Sequence, residues 1–263
     1  MDKSGSLGMA CHQALSFAPP AMALSRREAV FWPGCALMQL EAAILLKTAE
    51  VLRREEPDLG LSACCCGQPS RYLLEGAYPA RRDALAALLR KRGVRRVYAA
   101  CPNCAKQLGE LGCVEVRPVW SVLAARVRRE DLSGGTGAVT LHDPCPLRDQ
   151  PEELSAVRAL LELSGADVFE PEHARERTVC CGNVRMLRAR DPEKSGALRK
   201  RRIAEFPPDR PVASCCEGCL DAFRSEGLET VHLLEALFGR SGRRGWGNRL
   251  AFTSAVRKEA RRG

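Results

Sequence analysis

Hydrophobic and polar positions alternate between two periods along this chain, and the sequence of periods is run through twice. Short apolar runs read as buried strands. Stretches with an apolar residue every three or four positions read as amphipathic helices. Residues 29–32 form the first strand, which Pro33 and Gly34 stop. Residues 38–54 carry Leu40, Ile44, Leu45, Ala49 and Leu52 at helical spacing and end before Pro57. A second strand over 59–63 follows. A helix over 81–92 carries Leu85, Leu88 and Leu89 and is closed by Gly93. Then come a strand over 96–100, a helix over 103–111, a strand over 114–116 and a helix over 118–129. After residues 133–137 (Ser-Gly-Gly-Thr-Gly) the order recurs: strand 138–142, helix 152–163 closed by Gly165, helix 192–206 ended by Pro207 and Pro208, strand 211–213, helix 217–226, strand 230–231 and helical turns over 233–238. The glycine segment follows a helix and precedes a strand, the reverse of a phosphate-binding loop, so it reads as a linker. The alternation predicts an α/β protein of two tandem repeated domains with short parallel sheets. The expected boundaries are a loose N-terminal leader at 1–28, a first domain at 29–132, the linker at 133–137, a second domain at 138–239 and a basic C-terminal tail at 240–263.

The repeat also carries the chemistry. Each half has a lone cysteine, an adjacent Cys-Cys-Gly and a Cys-x-x-Cys. The first set is Cys35, Cys65, Cys66, Cys101 and Cys104; the second is Cys145, Cys180, Cys181, Cys216 and Cys219. From the adjacent pair onward the two sets superimpose with one offset of 115, and the offset also pairs Val97 with Val212 and Val116 with Val231. Most of these cysteines follow a predicted strand, where α/β folds gather their ligand loops. Cys104 and Cys219 fall in the first turn of a helix, where the dipole favours a thiolate. Gly67 and Gly182 permit unusual backbone angles or a close approach.

Fourteen cysteines in 263 residues with 45% apolar content are too many for core packing alone. Disulfide frameworks serve small secreted domains, and this chain is long enough for real cores, so metal is the better account. Thiolates ligate iron–sulfur clusters and structural zinc. The ferredoxin spacing is absent, and each half offers one thiol more than zinc requires. The net charge is +9. Residues 239–263 hold eight Arg or Lys and one acid, Glu259, which leaves the rest of the chain near +2. The basic tail, with Trp246 between glycines, is a candidate docking segment; a solvated, frayed terminus is the plainer alternative. No aromatic-interleaved basic surface suggests nucleic acid. No run reaches the ~18 apolar residues of a membrane span. Ser25-Arg26-Arg27 lacks the apolar stretch a twin-arginine signal needs. A cytoplasmic location follows as the expectation, with any membrane contact made peripherally through a partner.

The doubled pattern resembles the cysteine-rich CCG domain of the heterodisulfide reductase family, in the subunit that carries that motif twice. It is also similar to the iron–sulfur subunits of glycolate, lactate, anaerobic glycerol-3-phosphate and some succinate dehydrogenases. The residues that carry the resemblance span about 30–239 and include Phe31 to Cys35, Cys65 to Pro69, His142 to Cys145 and Cys180 to Gly182. The resemblance implies two 4Fe-4S clusters, noncubane in type, each held by one five-cysteine set. It further implies an oxidoreductase subunit that passes electrons to a disulfide or similar acceptor, with ferredoxin-like or flavin-containing partner subunits. The alternatives are an electron-transfer subunit of a dehydrogenase and, in another class, a zinc-stabilised structural or interaction protein. Both sets are complete, which favours the reductase-like branch.

Several residues stand beside the pattern. Cys64 and Cys215 extend each group by one and read as packed neighbours or as substitute ligands. Cys113 maps to Leu228 and reads as a core thiol; Cys11 reads as incidental. His142 and Asp143 stand where the first repeat has Trp32 and Pro33, and are the candidates for proton or hydrogen-bond donation at the second site. A capping role is their plainer alternative. His232 reads as a buried, hydrogen-bonded residue. Arg148, Arg185 and Arg188 could compensate charge near the second site or simply lie on the surface.

Overall fold

In the computed structural model residues 3–18, 21–133 and 135–262 are described. Parts of the expected leader (residues 1, 2, 19 and 20), one glycine of the linker (residue 134) and the last residue of the tail (263) lie outside the described residues. The chain forms two compact units: residues 1–119 together with 242–263, and residues 120–241.

Unit 1 runs α1 (Lys3–Ser16), β1 (Ala29–Trp32), α2 (Ala42–Leu52), β2 (Gly60–Leu61), α3 (Gln68–Leu73), α4 (Tyr78–Lys91), β3 (Arg96–Ala99), α5 (Pro102–Gly109) and β4 (Glu115–Pro118). Its sheet has the order β2-β1-β3-β4, with every pairing parallel. Val30 pairs with Val97 and Trp32 with Ala99. The central strand β1 is buried along its whole length, as a parallel strand covered on both faces should be, and so it reads as an unbroken apolar run. The edge strand β4 alternates: Glu115 and Arg117 are exposed and ion-paired.

Unit 2 runs α6 (Trp120–Arg126), β5 (Ala138–Leu141), α7 (Pro151–Leu163), β6 (Asp167–Phe169), α8 (Leu187–Arg190), α9 (Pro192–Ile203), β7 (Val212–Ser214), α10 (Glu217–Arg224), β8 (Thr230–His232) and α11 (Leu233–Phe238). Its sheet order β6-β5-β7-β8 is the same order in its own numbering, again parallel. The α/β repeat expected from the sequence is therefore present twice. His232 caps α11: its Nδ1 accepts from Leu234 N at 3.1 Å while its own N–H reaches Glu235 at 3.0 Å.

Three features depart from the sequence expectation. The boundary between units falls at Val119 and Trp120, ahead of the glycine segment, because α6 packs on α7 and the buried Glu153 accepts from the Ser121 backbone N–H and hydroxyl. The leader is not loose: α1 packs on α3, with Gln13 and Ser16 buried. The basic tail is not a free terminus either. It forms α12 (Trp246–Arg262), which packs on α2. Its buried stripe is Arg249, Phe252, Thr253 and Val256, at helical spacing. Only two of those four are apolar, so hydrophobic periodicity alone is faint. Glu259 completes the attachment, accepting from Arg53 and from Ser25, each at 2.9 Å. Among the described residues no helix is long and apolar enough to cross a membrane.

Candidate functional site

In unit 1 the loops after β1, β2 and β3 bring five cysteine side chains together. Their sulfur contacts run Cys35 to Cys65 to Cys66 to Cys104 to Cys101, with Cys35 and Cys65 3.9 Å apart. Unit 2 repeats the order: Cys145 to Cys180 to Cys181 to Cys219 to Cys216, with Cys181 and Cys219 3.2 Å apart. In each unit the cysteines before and after the glycine-flanked pair thus join in the same sequence of contacts. Cys101 and Cys216 are the N-cap residues of α5 and α10.

The Cys-Cys-Gly motif acquires a physical reason here. Gly67 and Gly182 have left-handed backbones (φ 81° and 85°), which favour glycine in the turn that follows each cysteine pair. Gly67 donates to Cys65 Sγ at 3.4 Å and Gly182 to Cys180 Sγ at 3.3 Å. A Cβ at Gly182 would also sit 2.3 Å from the carbonyl oxygen of Ser195. The same two sulfurs are acidic, and so is Cys101, lowered first by its hydrogen bond with Cys104. A hydrogen bond from Cys35, then one from Cys66, then the Gly67 and Gln13 donors hold Cys65 well below the ordinary thiol range. The Cys145 hydrogen bond, then that of Cys181, with the Gly182 N–H behind them, hold Cys180 down to about 2. The facing thiols Cys35 and Cys145 are pushed up, first because each donates to that thiolate.

Cys64 and Cys215 lie outside these contacts. The Cys64 thiol turns to the carbonyl oxygen of Ala23 at 3.5 Å, and burial pushes it up to about 12. Cys215 is fully buried, and burial raises it too. Cys113 packs at the margin of the first core, and Leu228 takes the corresponding place in the second. Cys11 is exposed on α1.

Each unit holds one aromatic ring at the end of its first strand, three positions before its first cysteine. In unit 1 it is Trp32, fully buried in the core that contains Cys64, Cys66 and Cys104; its Nε1–H has no hydrogen-bond partner among the described residues. In unit 2 it is His142, fully buried edge-on to Phe223 with ring centroids 4.9 Å apart. Burial, then the charge of Arg202, lowers the His142 pKa to about 3, so the ring is neutral. Arg202 Nε donates to His142 Nδ1 at 3.1 Å. A guanidinium never accepts, so Nδ1 must, and the ring proton sits on Nε2. That Nε2–H is buried with no partner among the described residues. The donor atoms offered by His142, Cys181 and Cys219 lie within 4.8 Å of one another.

Asp143 is held differently. Its two oxygens take the fork of Arg158 at 3.0 and 2.8 Å, and one also accepts the Arg175 N–H at 2.7 Å. Arg148 spends its guanidinium on the carbonyl oxygen of Thr178 at 2.7 Å. Arg185 and Arg188 are exposed, and Arg188 faces Asp221 at 3.4 Å.

Three residues of this neighbourhood carry no mark in the sequence. Gln13 on α1 is fully buried and donates to Cys65 Sγ at 3.5 Å. Arg202 fixes the His142 tautomer from α9. Arg249 on α12 lines a cavity beside Cys35. No motif contains them; the one signal for Arg249 is its place in the helical stripe of α12.

Two solved structures are similar in outline. One is a candidate Asp/Glu racemase from Yersinia pestis, at 10% identity, with 89% of this chain and 99% of that chain covered and a TM-score of 0.30. The other is an aspartate racemase homologue from Pyrococcus horikoshii OT3, at 12% identity, with 87% and 99% covered and a TM-score of 0.31. At those scores neither bears on this chain's chemistry. No curated protein matches the chain. The family model of the cysteine-rich CCG domain matches twice, over residues 29–109 and 139–224, one match in each unit. By that match, and by the doubled cysteine set it spans, the chain belongs to the CCG cysteine-rich domain family.

Proposed function

We propose that the protein is the iron–sulfur subunit of an oxidoreductase complex, similar to the CCG-domain subunit of heterodisulfide reductase, which holds two 4Fe-4S clusters and passes electrons to a disulfide or a similar acceptor. The observation that carries this reading is the pair of five-sulfur sites with one contact order. Five convergent thiols exceed the tetrahedral set of zinc. The donors around them point the same way: the Gly67, Gly182 and Gln13 N–H groups aim at sulfur, and the Trp32 and His142 ring N–H groups are buried and unpaired. Buried donors are costly when left unpaired. Inorganic sulfide supplies acceptors for them, and a bare zinc ion does not.

In this reading Cys35, Cys65, Cys66, Cys101 and Cys104 hold one cluster, and Cys145, Cys180, Cys181, Cys216 and Cys219 hold the other. When bound, the clusters store and relay single electrons. The chain's residues set the conditions. Gly67, Gly182 and Gln13 stabilise negative charge on sulfur. His142, kept in one tautomer by Arg202, offers its Nε2–H at the second site. Asp143, tied to Arg158, orders the loop and does not move a proton. Reduction of a disulfide to two thiols takes two electrons and two protons. The electrons come from a reduced ferredoxin-like or flavin-containing partner, and the protons come from solvent. A reducing compartment such as the cytoplasm suits the free thiols.

The test is iron, zinc and acid-labile sulfide on anaerobically purified protein, with EPR on the same sample. About eight irons with matching sulfide per chain are expected for two four-iron clusters. Stoichiometric zinc without sulfide would overturn the reading.

A further inference from the structure

We infer that the groove between α1 and α12 in unit 1 is a docking site for an acidic amphipathic helix of a partner subunit. Six large apolar side chains are exposed among the described residues. Three of them, Leu15 (57%), Trp246 (53%) and Leu250 (66%), line this one groove. Single exposed apolar residues are ordinary on a protein surface, whereas a contiguous group beside polar residues marks an interaction site. Ala18 and Ala21 add small apolar side chains to the lining, and Arg257 adds a cation. The groove has a volume of about 320 Å3.

Helical spacing sorts α12 into two stripes. Arg249, Phe252, Thr253 and Val256 are buried, and α12 packs on α2. Trp246, Leu250, Ser254, Arg257 and Arg261 follow at intervals of three or four and are all exposed. This second stripe is apolar at its N-terminal end and basic at its C-terminal end. From Trp246 to Arg257 it runs ~16 Å at 1.5 Å per residue, about three helical turns. The exposed charge has one sign. Lys258 is exposed as well, α1 contains no acid, and the acid of α12, Glu259, is engaged by Ser25 and Arg53, each at 2.9 Å. An occupant that matches the stripe carries leucine-like side chains at one end and carboxylates at the other, the helix-in-groove mode with charge complementarity. Trp246 is held ready for it. Its ring stacks with the Arg249 guanidinium at 4.9 Å and lies 6.0 Å from the His12 ring, so docking costs little side-chain freedom there. Trp246 and Arg249 also line the cavity beside Cys35, so the occupant stands next to the first sulfur site. Other occupants fit less well. A bilayer surface is flat and does not enter a groove, and a second copy of the chain docked by two-fold symmetry would set the same basic patch against itself.

The experiment is calorimetric titration of the full chain with a short helical peptide that carries two leucines one turn apart and a run of glutamates two turns further along. Two control peptides replace the glutamates by lysine or the leucines by alanine. The first peptide should bind saturably at one site, and each control at least tenfold more weakly. Leu250→Asp and Arg257→Glu both fall at exposed positions and should each weaken the first peptide at least tenfold. Arg257→Glu should also bind the lysine peptide more tightly than the wild type does, a gain that a misfolded variant cannot give. Absence of saturable binding would overturn the proposal, and so would equal affinity for the three peptides or wild-type affinity in both variants. Sedimentation with phosphatidylglycerol vesicles that Leu250→Asp abolishes, with no peptide bound, would make the groove a lipid contact and overturn it too. Iron and sulfide are measured on every sample. Peptide binding by protein that holds zinc and no sulfide would keep the groove and sink the cluster reading.

Discussion

Unit 1 places an indole where unit 2 places an imidazole, and the consequences spread outward from that position. Trp32 brings a fixed N–H and needs no second residue to orient it. His142 can carry its proton on either nitrogen, so unit 2 adds Arg202 to settle which one, and Arg202 is itself held by Glu205 at 2.8 Å and by the His173 carbonyl oxygen at 2.9 Å. The chain after the glycine differs as well. Unit 1 continues into the regular helix α3, whereas unit 2 turns through Arg185 and Met186, both left-handed. Unit 1 is covered by α1 and α12, whose Gln13 and Arg249 reach its sulfur site. What the units share is fixed by backbone: strand order, strand ends, the turned-back glycine N–H. What they do not share is supplied by side chains. The repeated scaffold sets where sulfur sits, and the unrepeated residues set what each site does.

The sharpest way to break this comparison is to remove the same sulfur from each unit. Cys65→Ala and Cys180→Ala should each cost about four irons per chain while the other site keeps its own. Iron and sulfide analysis reads this directly. Loss of all iron from either variant would mean that the sites do not load independently.

The glycines should separate the units by stability. Both Gly67→Ala and Gly182→Ala force a side chain into a left-handed backbone, at about 1 kcal/mol each. A Cβ at Gly67 would meet only the side chains of Phe17 at 3.4 Å and Tyr78 at 4.0 Å, whereas at Gly182 it would meet backbone at 2.3 Å. Overpacking adds about 1–3 kcal/mol. Gly182→Ala should therefore destabilise unit 2 by about 3 kcal/mol and Gly67→Ala should destabilise unit 1 by about 1 kcal/mol, read in urea melts. Equal losses would mean that the Ser195 backbone yields.

The ring donors offer a smaller and more informative difference. His142→Phe strips Arg202 Nε of its acceptor inside the core and should cost about 1–3 kcal/mol in iron-free protein. Trp32→Phe leaves no protein group unsatisfied, so its cost is limited to what the smaller ring fails to fill. In loaded protein both variants should lower the reduction potential of their own cluster, because in the proposed reading these buried, otherwise unpaired N–H groups donate to cluster sulfur and favour the more negative, reduced form. A redox titration that finds neither potential moved would remove the donor role and leave two packed rings.

Much of this is legible in the sequence, and the exceptions share a cause. The strand at 29–32 and the helix at 233–238 fall at their expected bounds, because central strands and buried helices are apolar throughout. The edge strand β6 leaves no such signal: Asp167 and Phe169 are exposed and it is three residues long, so no period can develop. The helices α1 and α12 read in sequence as a loose leader and a free tail because their buried faces are half polar. Gln13, Ser16, Arg249 and Thr253 are buried by hydrogen bonding, for the first three to partners far away in sequence, which no local pattern reveals. The cysteine sets are legible because the chain states them twice. The tautomer of His142 is not, since Arg202 lies 60 residues away.

The smallest effect expected is also the one that tests the register of each set. Cys64 and Cys215 adjoin the ligand candidates in sequence, and either could replace a neighbour if the chain shifted by one residue. Their surroundings oppose that shift. Cys64 faces the Ala23 carbonyl oxygen, its thiol is held protonated by burial up to about 12, and the Gly67 N–H serves the sulfur two positions before it, that of Cys65. Moving Cys64 into the site would discard that N–H and bury a new thiolate without a donor. Cys64→Ala and Cys215→Ala should therefore retain full iron and sulfide, with stability lowered by no more than about 1 kcal/mol for a small buried group. Both positions should answer alike, since each precedes a cysteine that joins the sulfur contacts of its unit. Loss of about four irons from one variant alone would show that its unit uses the extra thiol, and the equivalence of the two sulfur sites would fail there.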